Sequence, residues 1–263
     1  MSSPATTQSD MPPGAPGDRS ARTLAGALFA ALFVGGLITT SILVPASAPP
    51  NRPDSAATDI QRYFLENGGV AELQALTQTT AAFLLVLFIG SLAAMVRRLE
   101  SERSGLAETV TSGGIVAAAF LAVSALLAGT LGAEQISDSP ATVSALRQLS
   151  FFIGGVGHTV GLGVLVGAVS LAAHRARALP RWLTVAGLVS ATLSMLSLLS
   201  IVVFAANLFI PLGRFSGLLV IAATSLLMFT GRVGREPAKT SVTASIAGGV
   251  GVVVLAMAMT ILV

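Results

Sequence analysis

Apolar residues in this chain come in seven runs, at 23–44, 73–96, 110–131, 149–173, 182–204, 208–230 and 242–263, and the polar residues gather between them. A bilayer core about 30 Å thick takes about 20 residues of helix to cross, and each run meets or approaches that length. Inside hydrocarbon every backbone N–H and C=O must be satisfied within its own segment, which selects helices, and none of the runs shows strand alternation. The pattern predicts an all-α fold, a polytopic transmembrane helical bundle of seven spans, six plus a C-terminal seventh. The sixth run is the least regular, because Pro211 and Arg214 fall in its first turns. A proline is tolerated there, and an arginine near a helix end can snorkel outward.

Composition agrees with that reading: 53% of residues are hydrophobic, 10% are charged and the mean hydropathy is +0.83, outside the range of a water-soluble domain. The basic residues then set an orientation. With the N-terminus inside, the cytoplasmic segments carry Arg19, Arg22, Arg97, Arg98, Arg103, Arg175, Arg177, Arg181, Arg232, Arg235 and Lys239, which is 11 of the 15. Arg52, Arg62, Arg147 and Arg214 remain for the outer side. This positive-inside imbalance predicts a cytoplasmic N-terminus and an extracytoplasmic C-terminus, with Trp182 as an anchor at the inner interface. The net charge of +3 comes from loop arginines facing anionic lipid, so the bilayer is the implied partner and nucleic acid is not.

Residues 1–20, rich in Ser, Pro, Thr and Gly, read as a disordered cytoplasmic tail, and 21–263 as a single transmembrane helical domain. The first run is too long for a signal-peptide core, and Pro49 follows the Ala46-Ser47-Ala48 site directly, so it reads as an uncleaved anchor. The chain has no cysteine, which excludes disulfides, thiolate metal sites and cysteine catalysis. An extracytoplasmic loop at about 45–72 has soluble character. It opens with a proline-rich stretch. Asp54 is then placed to cap a short helix with Ala56, Ile60, Tyr63 and Phe64 on one face, and Asn67, Gly68 and Gly69 to stop it. Such a helix would lie on the membrane surface or over the mouth of the bundle, as a structural cover or as a ligand gate.

Several short motifs occur in this order: Tyr63-Phe64 and Asn67, Arg97-Arg98, Gly113-Gly114, Leu179-Pro180-Arg181-Trp182-Leu183, and Phe209-Ile210-Pro211-Leu212-Gly213. Over about residues 20–232 the chain resembles a large group of uncharacterised actinobacterial integral membrane proteins, classed as domains of unknown function. The resemblance implies a bacterial plasma-membrane location and a helical bundle. It implies no activity.

No Asp, Glu or Lys falls in the central part of a span, and His158 is the one deep titratable side chain. It sits about nine residues into the fourth run, about 13 Å deep at 1.5 Å per residue. An imidazole there needs a hydrogen-bond partner or a wet cavity, so it is a candidate ligand or proton contact. Gly154, Gly155, Gly157, Gly161, Gly163 and Gly167 surround it, and their small-xxx-small spacings equally suit close helix packing, with the histidine bonding a hydroxyl or carbonyl across the seam. Gly187, Ser190, Ser194 and Ser197 share a stripe on the fifth run that offers such hydroxyls. Gln74, Thr77 and Gln78 on the second run, with Asn207 and Arg214, form the polar residues of a candidate outward-opening vestibule above His158.

Enzyme motifs are not found. His158 and His174 lie about 24 Å apart on one helix with no carboxylate nearby, which argues against zinc, and one deep histidine is thin support for haem. Arg214 precedes Phe215-Ser216-Gly217 where an intramembrane serine protease would carry glycine, and Gly248-Gly249 follows no strand. No cofactor is therefore expected. Two functions stay open: a non-catalytic membrane component that scaffolds, senses or assists another membrane protein or a second copy of itself, and a small-molecule permease or channel with a site near His158.

Overall fold

The structure is a computed structural model that describes residues 21–100, 105–133 and 139–234. The tail at 1–20 and the seventh run at 242–263 lie outside the described residues. The helices are α1 (Ala21–Leu43), α2 (Ala57–Leu99), α3 (Leu106–Gly132), α4 (Pro140–Phe151), α5 (His158–Arg175), α6 (Arg181–Leu196) and α7 (Phe209–Phe229). A π-helical turn, Phe152–Gly157, joins α4 to α5, and two 3-10 turns, Ser197–Ile201 and Phe204–Leu208, join α6 to α7. Among the described residues these make six helices long and apolar enough to cross a membrane. Large apolar side chains such as Ile42, Phe83, Leu76 and Val202 point outward from the bundle, which suits hydrocarbon and not water. The chain is a membrane-embedded, multi-pass helical protein.

The spans form a ring in chain order: α1 packs on α2, α2 on α3, α3 on α5, α5 on α6, α6 on α7, and α7 returns to α1. Phe29 and Phe33 from α1, Leu85 and Phe88 from α2, Leu162 and Leu165 from α5, and Leu218 and Ile221 from α7 fill the interior. Ser225 closes the ring: its Oγ donates to the Thr23 carbonyl and accepts from the Ala27 N–H at 3.0 Å. Because consecutive spans run antiparallel, Arg22, Arg97, Arg98, Arg175, Arg177, Arg181 and Arg232 gather at one end of the bundle. The opposite end carries Arg52, Arg62, Arg147 and Arg214.

Seams close where one side is glycine. A Cβ on Gly161 would lie 2.6 Å from the Ala117 backbone nitrogen, so α3 and α5 touch backbone to backbone. The two glycine pairs of the fourth span serve different neighbours. Gly157 and Gly161 face Phe120 and Ala117 on α3, whereas Gly163 and Gly167 face Ser194 and Ala191 on α6.

Three expectations need correction. The outer helix is interrupted at Asn67 but does not end there: Asn67 leaves helical geometry, with φ −126° and ψ 28°, and across that kink α2 continues into the second span. Asn67 Nδ2 donates to the Tyr63 carbonyl at 3.1 Å, and Gly68 approaches the Gly132 carbonyl of α3, so packing carries the helix through its stop signal. Asp54 is not the cap; Ala56 holds that position with no side-chain bond. The fourth span begins at Pro140, well before 149, with Ser139 Oγ accepting from the Thr142 N–H at 3.4 Å. Ile60, Phe64 and Ala71 then pack with Leu131 and Val143, so the outer half of α2 covers this end of α3 and α4.

Candidate functional site

The fourth span changes its winding immediately before His158. A π turn carries one residue more than an α turn would, and such widened turns are frequent at functional sites. Here it is FIGGVG, whose Gly154 and Gly155 expose backbone to a neighbour. Arg214, five residues into α7, fills that opening: its Nη2 donates to the carbonyls of both Gly154 and Gly155. The expected outward snorkelling is therefore corrected. Beside the turn, Ser124 and Ser150 lock α3 to α4 reciprocally, each hydroxyl donating to the other's carbonyl, at 2.8 and 3.0 Å.

Arg214 is also the end of a stack. Its guanidinium carbon sits 5.6 Å from the centre of the Phe33 ring. Phe33 in turn stacks on His158, with centroids 6.0 Å apart and planes 17° from parallel. His158 is fully buried, and its Nδ1 lies 2.9 Å from the Ala117 carbonyl. A carbonyl only accepts, so Nδ1 carries the proton and donates, which leaves Nε2 buried with no partner. The stripe of serines does not supply its partner. That correction follows from geometry: Gly161 brings the α3 backbone so close that its carbonyl reaches the ring first.

Ser190, Ser194 and Ser197 are fully buried between α5 and α7. Ser190 Oγ donates to the Gly213 carbonyl at 3.1 Å, and Ser197 Oγ to the Ser194 carbonyl at 2.6 Å. Ser194 Oγ has no partner, and a Cβ on Gly213 would lie 2.8 Å from the Ser194 backbone nitrogen. The stripe is a packing surface shared by three helices.

Two adjoining cavities meet at Arg214. The larger, about 470 Å³, is bordered by Arg52, Asp54, Phe204 and Asn207. The smaller, about 180 Å³, is bordered by Asn51, Tyr63, Gln74, Gln78 and Arg147. Leu37, Phe151, Ile210 and Arg214 line both. Of the expected vestibule residues, Gln74 and Gln78 border the smaller cavity, Asn207 the larger and Arg214 both, while Thr77 is bonded to the Gln74 carbonyl and packed over Gly36. His158 borders neither cavity. Arg147 pins the 44–56 loop across the entrance, its Nε donating to Asn51 Oδ1 at 2.8 Å and its Nη2 to the Asn51 carbonyl at 3.1 Å. At the opposite end a separate cavity of about 340 Å³ is bordered by Thr23, Ser91, Met95, Arg98, Met228 and Val233.

Phe33 and the π turn escaped sequence reasoning. A phenylalanine inside an apolar run carries no signal, and Gly154-Gly155 reads first as a packing pair. His174 stays at the arginine-rich end, 3.4 Å from Thr184 Oγ1. Ser216 is fully buried and donates to the Leu212 carbonyl. No family model, curated protein or solved structure matches this chain at a significant level.

Proposed function

We propose that the chain is a non-catalytic component of a bacterial plasma membrane, a compact bundle that senses or scaffolds. Its partner would be another membrane protein or a second copy of itself. The observation that supports this is the closure of the midsection. Phe29, Phe33, Phe88 and His158 are fully buried between the two end cavities, and glycine contacts hold the seams around them at backbone distance. The arginine-rich end is taken as cytoplasmic, which puts the N-terminus inside and the vestibule outside; a seventh span at 242–263 would return the C-terminus to the outside. The bacterial origin rests on the sequence resemblance.

A permease is the second reading, and one feature favours it. The cavities at the two ends lie along the same seam, since α1 and α7 contribute to both, through Thr23 and Met228 at one end and Leu37 and Phe215 at the other. Transport would require the Phe29 and Phe33 rings to swing aside.

Proteoliposomes separate the two. Stopped-flow light scattering is measured with a panel of small neutral solutes and alkali salts. Rates equal to those of protein-free vesicles are expected. A protein-dependent rate that Phe33→Ala or His158→Ala alters would replace the scaffold with the permease.

A further inference from the structure

Arg214 combines three properties that seldom occur together. It is a cation on a membrane-spanning helix, where a charge without an opposite partner is costly. The ion pairs among the described residues are Arg62 with Asp59 and Arg97 with Glu108, and neither involves it. Its Nε is buried without a hydrogen-bond partner, although Nη2 is committed to the π turn. Capping two carbonyls explains the side chain's direction. It does not explain why the guanidinium borders two cavities.

The surroundings point to what would meet it. Leu37, Phe151, Phe204, Ile210 and Phe215 make most of the wall of the 470 Å³ cavity apolar, and that volume falls in the range of small-ligand sites. Phe204 lines the cavity yet remains 64% exposed on the bundle's outer surface, so the cavity reaches the lipid-facing side as well as the loop side. Asn207, in the same wall, has a buried Oδ1 with no donor. With Oδ1 turned inward, the NH₂ is the end of the amide left to face the cavity, as a donor in the same wall as the arginine.

We propose that this vestibule binds an amphiphile with one anionic head and an alkyl chain, the head on Arg214 and Asn207 and the chain along Phe151, Phe204 and Phe215. A free fatty acid and an anionic phospholipid share that chemistry, carboxylate in one and phosphate in the other. A guanidinium suits either, because its planar donors match both oxyanions. The chain enters sideways past Phe204, while Arg52, Pro53 and Asp54 close the side facing the loop. This site goes beyond the sensing or scaffolding reading and does not depend on it. Solute flux would overturn that reading and leave the site standing, and loss of binding would do the reverse.

The test is native mass spectrometry of the full-length chain in detergent, titrated separately with palmitate and with phosphatidylglycerol, against palmityl alcohol and phosphatidylcholine as uncharged and zwitterionic controls. Wild type is expected to retain one equivalent of palmitate or of phosphatidylglycerol, and whichever is retained identifies the head. Arg214→Gln should weaken that retention about tenfold or more, the size of a lost charge-assisted hydrogen bond. Leu37→Trp fills the cavity from a half-buried position and leaves the arginine and the π turn intact, so it serves where Arg214→Gln fails to fold. It should weaken retention similarly, whereas Leu28→Trp, on the lipid-facing surface, should not. Equal retention of the controls, or undiminished binding in Leu37→Trp, would overturn the site.

Discussion

His158 Nδ1 lies 2.9 Å from the carbonyl of Ala117, a residue that also receives the closest backbone approach of Gly161. The two contacts depend on each other. The hydrogen bond forms because the glycine lets α3 and α5 touch, and a shift of a few tenths of an ångström between those helices would lengthen it.

Gly161→Ala is therefore expected to destabilise the bundle by about 1–3 kcal/mol, as overpacking does in a close-fitted interior. Gly90→Ala offers the contrast, because nothing lies within 4 Å of a Cβ built there. Adding helix propensity at an open position should leave stability unchanged or raise it by up to about 1 kcal/mol. Thermal unfolding of the two variants in one detergent compares them directly. Equal melting temperatures would show that the α3–α5 seam yields more readily than its geometry implies.

Much of this architecture was readable from the chain, and the parts that were not share a cause. The six described spans follow from apolar run length, because the bilayer imposes that length on each segment separately. The glycines around His158 read correctly as close-packing residues, although nothing local says that Gly157 and Gly161 serve α3 while Gly163 and Gly167 serve α6. Asn67-Gly68-Gly69 read as a stop, and the chain does leave helical geometry at Asn67, but packing of α3 against Gly68 lets the helix resume beyond it. Arg214 read either as a terminal anchor or as a vestibule residue, and neither reading foresaw its bonds to the carbonyls of Gly154 and Gly155, about sixty residues away in sequence. Long-range partners of polar side chains decide the site, and periodicity carries no information about them.

The serine stripe makes a sharper prediction, since its members differ only in partners. Ser190 bonds the Gly213 carbonyl across the α6–α7 seam, so Ser190→Ala should cost about 0.6 kcal/mol, the usual worth of an interhelical bond in a membrane. Ser194 Oγ is buried and unpartnered, and Ser194→Ala removes a group that gains nothing from its position. That variant should be neutral or slightly stabilising. Chemical denaturation in mixed micelles would resolve the order, and a larger loss from Ser194→Ala would mean that its hydroxyl does have a partner.

Phe33 stands between the buried imidazole and the guanidinium, and its ring is completely enclosed. Phe33→Ala should lower stability by about 3–5 kcal/mol, the range for deleting a buried aromatic. Phe33→Leu keeps most of the apolar volume but loses the π face, so it should cost less while still loosening Arg214. Hydrogen exchange at the amides of 152–158 reports on that loosening, because the arginine holds the π turn's carbonyls. Faster exchange in Phe33→Leu at nearly unchanged melting temperature is the expected signature, and unchanged exchange would disconnect the ring from the turn.

Orientation has its own test, which separates the bundle's two ends. The arginine-rich end, with Arg97, Arg98, Arg175, Arg177, Arg181 and Arg232, should face the cytoplasm under the positive-inside rule. A phosphatase reporter fused after Gly234 should then be inactive, since that enzyme needs the oxidising outer compartment, and one fused after Asn51 should be active. The same reporter after Val263 addresses the seventh apolar run: activity there means that 242–263 crosses the membrane, and inactivity means that it does not. Activity after Gly234 would invert the whole bundle. The Arg214 vestibule would then open toward the cytoplasm, and its amphiphile would have to come from the inner leaflet.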